Sequence, residues 1–319
     1  MSSALAQAGP CEYTAAMAAR ALPLPDLSAN KYSRGQVLVC AGSQSFPGAA
    51  VLASLAAVRS GAGYATLLTP APAAEAARAH LASVPVVACS SAGGCFDCGA
   101  VEELCARAPR ARALLAGPGM GREPQCLRFA AQLCSHPALA HLPLLLDADA
   151  LFALAQEPSM LDARRAARAV TVLTPHEGEA ARLLGRAVAR REDDALELAR
   201  RYCAVVVLKG PQTLVAAPGG ELFVCRNAGP ELAKAGSGDV LAGMIAAFLA
   251  QGLQGVDAAC LGVYLHGRSG ALAAGELGVL SVLPEDLIDR IGPAVCSLEG
   301  HSDSLAAARR GALERAGAR

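Results

Sequence analysis

Short apolar runs recur along this sequence, and each is followed by glycine or polar residues. Apolar residues stand at consecutive positions in these runs, rather than at every second one, which is typical of parallel strands buried on both faces by helices. We therefore predict an α/β fold with a mostly parallel central sheet flanked by helices on both faces. The runs cover residues 37–40, 64–68, 84–89, 112–116, 144–146, 170–173 and 205–208.

The pattern changes after Lys209. Two further strand-like runs, 213–217 and 221–225, are separated by Pro218-Gly219-Gly220, which predicts a hairpin. The remaining periodicity predicts helices over 239–251, 256–274 and 284–291. No repeat or low-complexity linker divides the sequence. We predict an N-terminal arm at 1–30, a single domain at 31–296 and a flexible C-terminal tail at 297–319.

Charge and aromatic content exclude several classes of partner. The 28 Lys and Arg residues balance the 28 Asp and Glu residues, aromatic residues make up 3%, and Trp is absent. A neutral chain poor in aromatic rings is ill suited to nucleic acid or to an anionic membrane. The longest apolar run, after Asp239, is well short of the ~20 residues that a membrane span needs. With no recognisable signal peptide in the sequence, we predict a cytoplasmic protein.

The sequence holds twelve cysteines. Most stand singly in apolar segments, which favours small core side chains over a disulfide framework. Cys95 and Cys98 form one Cys-x-x-Cys between glycines, but a single pair without a second pair is a weak zinc signal. We therefore predict a surface loop there and no metal ligands in the chain.

Polar residues that could form a site lie directly after the apolar runs. These are Gly42-Ser43, residues 117–121, Asp147 with Asp149, His176 and Lys209. In an open parallel sheet the ligand crevice lies beyond the carboxyl ends of the strands, so these residues are predicted to converge.

Asp239 is the strongest candidate for acid/base chemistry. It follows Gly236-x-Gly238 and opens a strongly apolar helix. Taken alone, an Asp there is most simply a helix cap. However, the free N–H groups of a helix start attract anions, and glycines let a ligand approach the backbone closely. A carboxylate beside such an anion site is suited to take a proton from a hydroxyl that attacks phosphorus.

The positions of the lysines and of two histidines also bear on the predicted site. Only three basic residues are Lys, namely Lys31, Lys209 and Lys234, and all lie in segments with other functional signals. A compact ammonium suits phosphate, so the loop from Lys209 is a candidate phosphate contact. For His176 a structural role and a binding role remain equally open. His266, among apolar neighbours, is predicted to pack in the core.

Together these motifs resemble the ADP- or ATP-dependent NAD(P)H-hydrate dehydratases, whose order they follow from about residue 30 to 292. The sequence departs from the family pattern at Ala228-Gly229, where Gly-Asn is usual, and at Phe152, where Asn is usual. The segments that carry the resemblance are Lys31-Tyr32-Ser33-Arg34-Gly35, Gly42-Ser43 with Pro47-Gly48-Ala49-Ala50, Gly117-Pro118-Gly119, Leu146-Asp147-Ala148-Asp149-Ala150-Leu151, Leu173-Thr174-Pro175-His176-x-Gly178-Glu179, Val207-Leu208-Lys209-Gly210, Ala235-Gly236-Ser237-Gly238-Asp239-Val240-Leu241 and Gly262-Val263-Tyr264-Leu265-His266-Gly267.

The resemblance implies a ribokinase-like fold and a hydro-lyase that repairs the S epimer of hydrated NAD(P)H. In such enzymes ADP or ATP phosphorylates the ring hydroxyl, phosphate then leaves, and Mg²⁺ accompanies the nucleotide. It also implies a separate epimerase as partner, and we expect a homo-oligomer. Asp239 would be catalytic. The implied substrate contacts are Ala50, Gly117, Gly119, His176 and Asp239. The implied nucleotide contacts are Lys209, Gly210, Pro211, Gln212, Thr213, Gly229, Lys234, Ala235, Gly236, Ser237 and Gly238.

Two other functions use the same motifs. A ribokinase-like kinase of a vitamin precursor or sugar alcohol would need the same Asp239 and the same anion site. A nucleotide-binding regulatory module with a decayed site is the third possibility, and the intact Gly236, Gly238 and Asp239 speak against it.

Overall fold

A computed structural model describes residues 9–25 and 28–299, and in them strands and helices alternate as the apolar runs predict. The strands are β1 (Cys11–Glu12), β2 (Gln36–Cys40), β3 (Tyr64–Pro70), β4 (Val86–Cys89), β5 (Ser91–Ala92), β6 (Cys95–Phe96), β7 (Ala113–Ala116), β8 (Leu144–Leu146), β9 (Thr171–Leu173), β10 (Val205–Leu208), β11 (Thr213–Ala216) and β12 (Leu222–Cys225). The helices are α1 (Ala15–Ala21), α2 (Pro47–Arg59), α3 (Ala71–His80), α4 (Ala100–Cys105), α5 (Pro124–Ser135), α6 (Asp149–Gln156), α7 (Asp162–Ala166), α8 (Glu177–Leu184), α9 (Arg191–Tyr202), α10 (Ser237–Ala250), α11 (Gly255–Leu277) and α12 (Pro284–Glu299).

The main sheet has ten strands in the order β1-β12-β11-β10-β9-β8-β7-β2-β3-β4. From β10 to β4 all neighbouring strands pair in parallel. The predicted hairpin is confirmed, because β11 pairs antiparallel with both β10 and β12. The predicted fold class, a mostly parallel sheet with helices, is confirmed as well.

The apolar runs supply two core layers, one on each face of the sheet. In β2, Val37 and Val39 join the layer that contains α2, α10 and α11, whereas Leu38 and Cys40 join the layer that contains α5, α6 and α9. Successive side chains of a strand point to opposite faces, so a strand covered on both sides carries apolar side chains at consecutive positions.

Helix α10 lies at the centre of the first layer, and its residues from Val240 to Ala250 are all buried. Gly243 allows α2 to approach closely, since a Cβ there would lie 2.2 Å from the carbonyl oxygen of Ala53. Although α10 is the most apolar helix, no helix in the described ranges combines the length and apolar character that a membrane span requires.

Part of the predicted N-terminal arm belongs to the sheet. Strand β1 pairs in parallel with β12, and the Tyr13 ring packs edge-on against Phe223 and Tyr264. A two-residue strand has no periodicity of its own, so the sequence could not indicate it. Helix α12 likewise continues past residue 291 into the predicted tail. Residues 1–8, 26–27 and 300–319 lie outside the description, and the division into arm, domain and tail stays a prediction.

Candidate active site

The polar residues that follow the parallel strands meet at one edge of the sheet, as predicted. Asp147, Thr174 and Lys209 come directly after β8, β9 and β10, which are neighbours in the sheet. The Thr174 hydroxyl donates to Asp147 Oδ1 at 2.7 Å, and Lys209 Nζ donates to the same oxygen at 2.8 Å. Three strand ends are thereby joined through one carboxylate.

A cavity of about 790 Å³ opens in front of this edge. It lies between the three strand ends, the loop after β10 and the segment 228–236 that leads into α10. Its size suits a small-molecule or nucleotide ligand. The predicted site residues that line it are His176, Lys209, Gly210, Pro211, Thr213, Gly229, Lys234, Ala235, Gly236, Ser237, Gly238 and Asp239.

The start of α10 presents free backbone donors to the cavity. Among the described residues, no acceptor bonds to the N–H of Gly238 or of Asp239. Gly236 has φ +96°, a conformation that favours glycine, and this turn places the helix start at the cavity wall. Unpaired N–H groups and the positive end of the helix dipole together form a site for an anion.

The Asp239 carboxylate is partly buried beside these donors. Burial, and then the nearby Asp147, raise its pKa from 3.8 to about 7, although Lys209 acts in the opposite direction. Within the part of the chain that the structure describes, no group donates a hydrogen bond to this carboxylate. A carboxyl with a pKa near neutrality and no fixed partner is suited to proton transfer.

Lys209 forms ion pairs with acidic side chains rather than projecting freely into the cavity. Its Nζ lies 2.8 Å from Asp147 Oδ1 and 3.9 Å from Glu179 Oε2. Burial alone would lower the pKa of Lys209, but Asp147, Glu179 and Asp239 raise it above its ordinary value, so the side chain stays charged. A Cβ at Gly238 would lie 3.4 Å from Nζ, so the ammonium is close to the anion site at α10.

His176 has a structural role as the cap of α8, and it also lines the cavity, where a ligand could contact it. Its Nδ1 accepts from the backbone N–H of Gly178 at 3.0 Å and of Glu179 at 3.4 Å, which caps α8. The Glu179 carboxylate in turn accepts a hydrogen bond from the backbone N–H of His176 at 2.9 Å, and this completes a capping box. Because Nδ1 accepts, the ring proton is on Nε2, on an imidazole that lines the cavity and whose pKa is lowered by burial and by Lys209.

His266 is buried, as predicted, but it also touches the start of α10. Its Nε2 lies 3.1 Å from the Ser237 hydroxyl, and both residues line the cavity. Burial lowers the pKa of His266 to about 4, so the ring is neutral. The pair holds the first residue of α10 in place, below the anion site.

Four predicted contacts lie outside the cavity lining, and their roles stay predictions. Ala50 is fully buried. Gly117 and Gly119 have positive φ and form a tight turn, in which a Cβ at Gly117 would lie 1.8 Å from the Asp147 carbonyl oxygen. Gln212 accepts a hydrogen bond from Arg191 through its carbonyl oxygen. Lys234 does line the cavity, but its ammonium donates to the Leu280 carbonyl oxygen at 2.8 Å.

The sequence analysis placed Asp147 near the predicted site without giving it a role, and it did not name Glu179 or His266 as site residues. Asp147 had a signal, since it follows a buried strand, and it is now seen to neutralise Lys209. Glu179 stands three residues after His176, which is the spacing of a capping box. For His266 only the packed role was expected, because its contact with Ser237 joins residues 29 positions apart.

Phe152, which departs from the resembled pattern, has a role in packing. The guanidinium carbons of Arg122 and Arg182 lie 4.9 and 5.4 Å from its ring centre. Arg122 also pairs with Asp149 at 2.8 Å, so the ring sits beside the loop that contains Gly121. Such cation–π contacts stabilise the surface next to the site.

The comparisons with known proteins agree with the resemblance. The family model described as NAD(P)H-hydrate dehydratase matches residues 37–293. The bifunctional NAD(P)H-hydrate repair enzyme Nnr of Moorella thermoacetica is 36% identical over 93% of this chain and 56% of its own length. The ADP-dependent (S)-NAD(P)H-hydrate dehydratase of Xanthomonas campestris is 35% identical over 85% of this chain and 92% of its own length. The chain spans about half the length of the curated bifunctional relatives it matches.

A solved structure supports the same fold. The ADP/ATP-dependent NAD(P)H-hydrate dehydratase of Bacillus subtilis, co-crystallised with ATP and Mg²⁺, superimposes with a TM-score of 0.75 at 27% identity. The match covers 91% of this chain and 99% of that chain. The predicted ribokinase-like fold is therefore confirmed.

Proposed function

Since the chain belongs to the NAD(P)H-hydrate dehydratase family, we propose that it dehydrates the S epimer of hydrated NADH or NADPH at the expense of ADP or ATP. Such a hydro-lyase returns a damaged cofactor to its active form. The proposal rests on the cavity in front of α10, where an acid/base group, an anion site and a charged lysine lie together.

The chemistry requires two steps. The ring hydroxyl of the hydrate attacks the terminal phosphorus of the nucleotide, and the phosphoryl group moves to the ring oxygen. The C–O bond then breaks with loss of inorganic phosphate, helped by the lone pair of the ring nitrogen, and the adjacent ring carbon gives up a proton. Phosphorylation is needed because hydroxide is a poor leaving group.

Asp239 is the group that we assign to the first step. Its ionised form takes the hydroxyl proton as the oxygen attacks phosphorus. With a pKa of about 7 it is a stronger base than an ordinary Asp, yet it remains largely ionised in mildly alkaline solution. No hydrogen bond within the described residues has to be broken before it acts.

The nucleotide phosphates are assigned to the start of α10. The unpaired N–H groups of Gly238 and Asp239 offer donors to phosphate oxygens, and Lys209 adds positive charge from the adjacent strand end. His176 can donate through Nε2 to a polar group of the hydrate. In the proposed arrangement these contacts would bring the hydroxyl, the phosphorus and the base together in one cavity.

A magnesium ion fits this arrangement as a companion of the nucleotide. Mg²⁺ prefers oxygen ligands, keeps several waters and binds through few carboxylates together with phosphates. Asp147, Glu179 and Asp239 supply carboxylate oxygens on the cavity wall. When bound, the ion would neutralise charge on the phosphates. The residues of the chain still have to orient the hydroxyl and accept its proton.

The observation that carries the proposal is the unpartnered Asp239 carboxylate at a buried helix start. The test is to incubate the purified chain with (S)-NADH hydrate or (S)-NADPH hydrate and with ADP or ATP, and to follow the absorbance of reduced nicotinamide. Recovery of absorbance that needs nucleotide, with phosphate released in equal amount, supports a dehydratase. Absence of recovery with any combination of hydrate and nucleotide refutes it.

The same assay distinguishes the other two functions. A small-molecule kinase would leave the hydrate unchanged and consume ATP only with an alcohol from a substrate panel. A regulatory module would bind nucleotide without turnover. Each result is separate from the dehydratase result, because each product is measured directly.

The proposal extends to the setting of the enzyme. We propose that the reaction takes place in the cytoplasm, together with an epimerase that supplies the S epimer; a substrate derived from NAD(P)H and an adenine nucleotide as co-substrate support this setting. We also propose that the protein assembles as a homo-oligomer. Light scattering during size-exclusion chromatography measures its mass, and a monomer at micromolar concentration would exclude it.

A further inference from the structure

Two cysteines and a glutamate form a cluster outside the active-site cavity. Cys95 Sγ lies 3.2 Å from Glu123 Oε2, and Cys126 Sγ lies 3.8 Å from the same oxygen. One ligand-type atom from each of the three side chains lies within 4.8 Å of the others. Cys95 is in β6, Glu123 directly precedes α5, and Cys126 is in its first turn, so two separate segments meet here.

These separations fit a tetrahedral metal site. Zinc binds thiolate at about 2.3 Å and carboxylate oxygen at about 2.0–2.2 Å. In a regular tetrahedron those bond lengths place sulfur and oxygen ligands about 3.6 Å apart. The two observed sulfur–oxygen distances, 3.2 and 3.8 Å, lie on either side of this value.

We propose that Cys95, Glu123 and Cys126 bind a zinc ion, with a water molecule as the fourth ligand. Two soft thiolates select zinc over magnesium or calcium, which take oxygen ligands only. Both cysteines are buried and Glu123 is exposed, so the oxygen side of the site is open to the ion and to water. Binding releases the two thiol protons to solvent and leaves a site of net charge −1.

The ligand set is not the Cys-x-x-Cys pair of the sequence. Cys98 lies outside the three-residue group. The partner of Cys95 is Cys126, 31 positions further along, and it is brought there by the packing of β6 on α5, with the Phe96 and Phe129 rings stacked at 4.6 Å. A sequence search for local zinc motifs therefore misses this site.

The position of the site indicates a structural role. The β5–β6 hairpin has only two residues in each strand, which is too little to be stable alone. Gly121 leaves room for the cluster, since a Cβ there would lie 2.4 Å from Glu123 Oε2. Its N–H donates to Asp149 at 3.0 Å, directly after the turn at Gly117 and Gly119. A zinc ion would hold the hairpin and α5 together next to this turn.

The test uses the full chain without an affinity tag, purified under reducing conditions. Zinc content is measured by mass spectrometry of the metal. Cobalt chloride is then added to metal-free protein, and the thiolate-to-cobalt absorption is recorded. We expect one zinc per chain in the wild type, and its loss in Cys95→Ser and in Cys126→Ser. Cys98→Ser and Cys134→Ser are matched controls that keep the ion, because Cys98 is the other motif cysteine and Cys134 lies in α5 away from the cluster.

Glu123→Gln guards against a folding defect in the cysteine variants. Because Glu123 is exposed, the Glu123→Gln protein should keep the wild-type fold. We expect its affinity for zinc to be lower by at least about tenfold. Three results would overturn the proposal. These are wild-type protein that takes up neither metal when reduced, zinc retained by both cysteine variants, or a Cys95–Cys126 disulfide in protein isolated without oxidant.

Discussion

The charge that makes Asp239 a base should also destabilise the folded protein, and Asp239→Asn tests this. Burial, followed by Asp147, raises the pKa of Asp239 from 3.8 to about 7. Each pKa unit corresponds to about 1.36 kcal/mol. The ionised side chain therefore costs the folded state on the order of 4 kcal/mol relative to a neutral one.

The sign follows from proton binding. Between about pH 4 and pH 7 the folded protein keeps the Asp239 proton while the unfolded chain has lost it, so the free energy of unfolding falls as pH rises through this window. Asn cannot ionise and avoids this loss. At pH 8 we expect Asp239→Asn to be more stable than the wild type by up to about 4 kcal/mol, and below about pH 4 the two should be equal.

Urea unfolding of both proteins at several pH values measures the difference. Asp257→Asn is the matched control, since Asp257 is an exposed Asp in the first turn of α11. It should be less stable than the wild type by about 0.3–1 kcal/mol through the helix dipole. In the hydrate assay, Asp239→Asn should lose about 10²–10⁴-fold in rate while it still binds nucleotide. A variant that is less stable at pH 8, or fully active, would refute the assignment.

Three further changes have defined outcomes. Lys209→Ala leaves the buried Asp147 without its counter-charge, so we expect a loss of about 3–5 kcal/mol in urea unfolding and weaker ADP binding in calorimetry. An unchanged dissociation constant would argue against a phosphate role. Gly117→Ala should lower the melting temperature more than Gly252→Ala. Both positions have positive φ, but only at Gly117 would a Cβ meet backbone, 1.8 Å from a carbonyl oxygen. His266 has a pKa of about 4 when folded, so its contribution is lost as pH falls from 6.5 towards 4. The wild type should therefore lose on the order of 3 kcal/mol over this range relative to His266→Gln, and parallel pH curves would contradict the buried neutral ring.

The fold was predictable wherever burial on both faces of a strand requires consecutive apolar residues. Val37 and Leu38 face opposite core layers, and both must be apolar, so β2 and its parallel neighbours could be read from the sequence. Strand β1 has no such apolar pattern. Cys11 and Glu12 are exposed, and they are a strand only because the edge of β12 is available to pair with them.

The site was predictable where it is local in the chain. Gly236, Gly238 and Asp239 are close in sequence, and the physics of a helix start acts over the same few residues. The charge balance was not predictable, because Lys209 and Asp147 are 62 positions apart and their pairing depends on strand order. Spacing alone therefore suggested a free ammonium where the fold provides an ion pair.

The close approach at Gly243 connects interior packing to chemistry. Helix α10 has no solvent-facing side beyond its first turn, and one end of it holds the proposed base. A methyl group at residue 243 would clash with the Ala53 carbonyl oxygen and displace helix α10, including its first turn. Substitutions deep in the interior should therefore alter turnover without touching any ligand. Libraries that aim to change the rate should include the α2–α10 contact as well as the cavity wall.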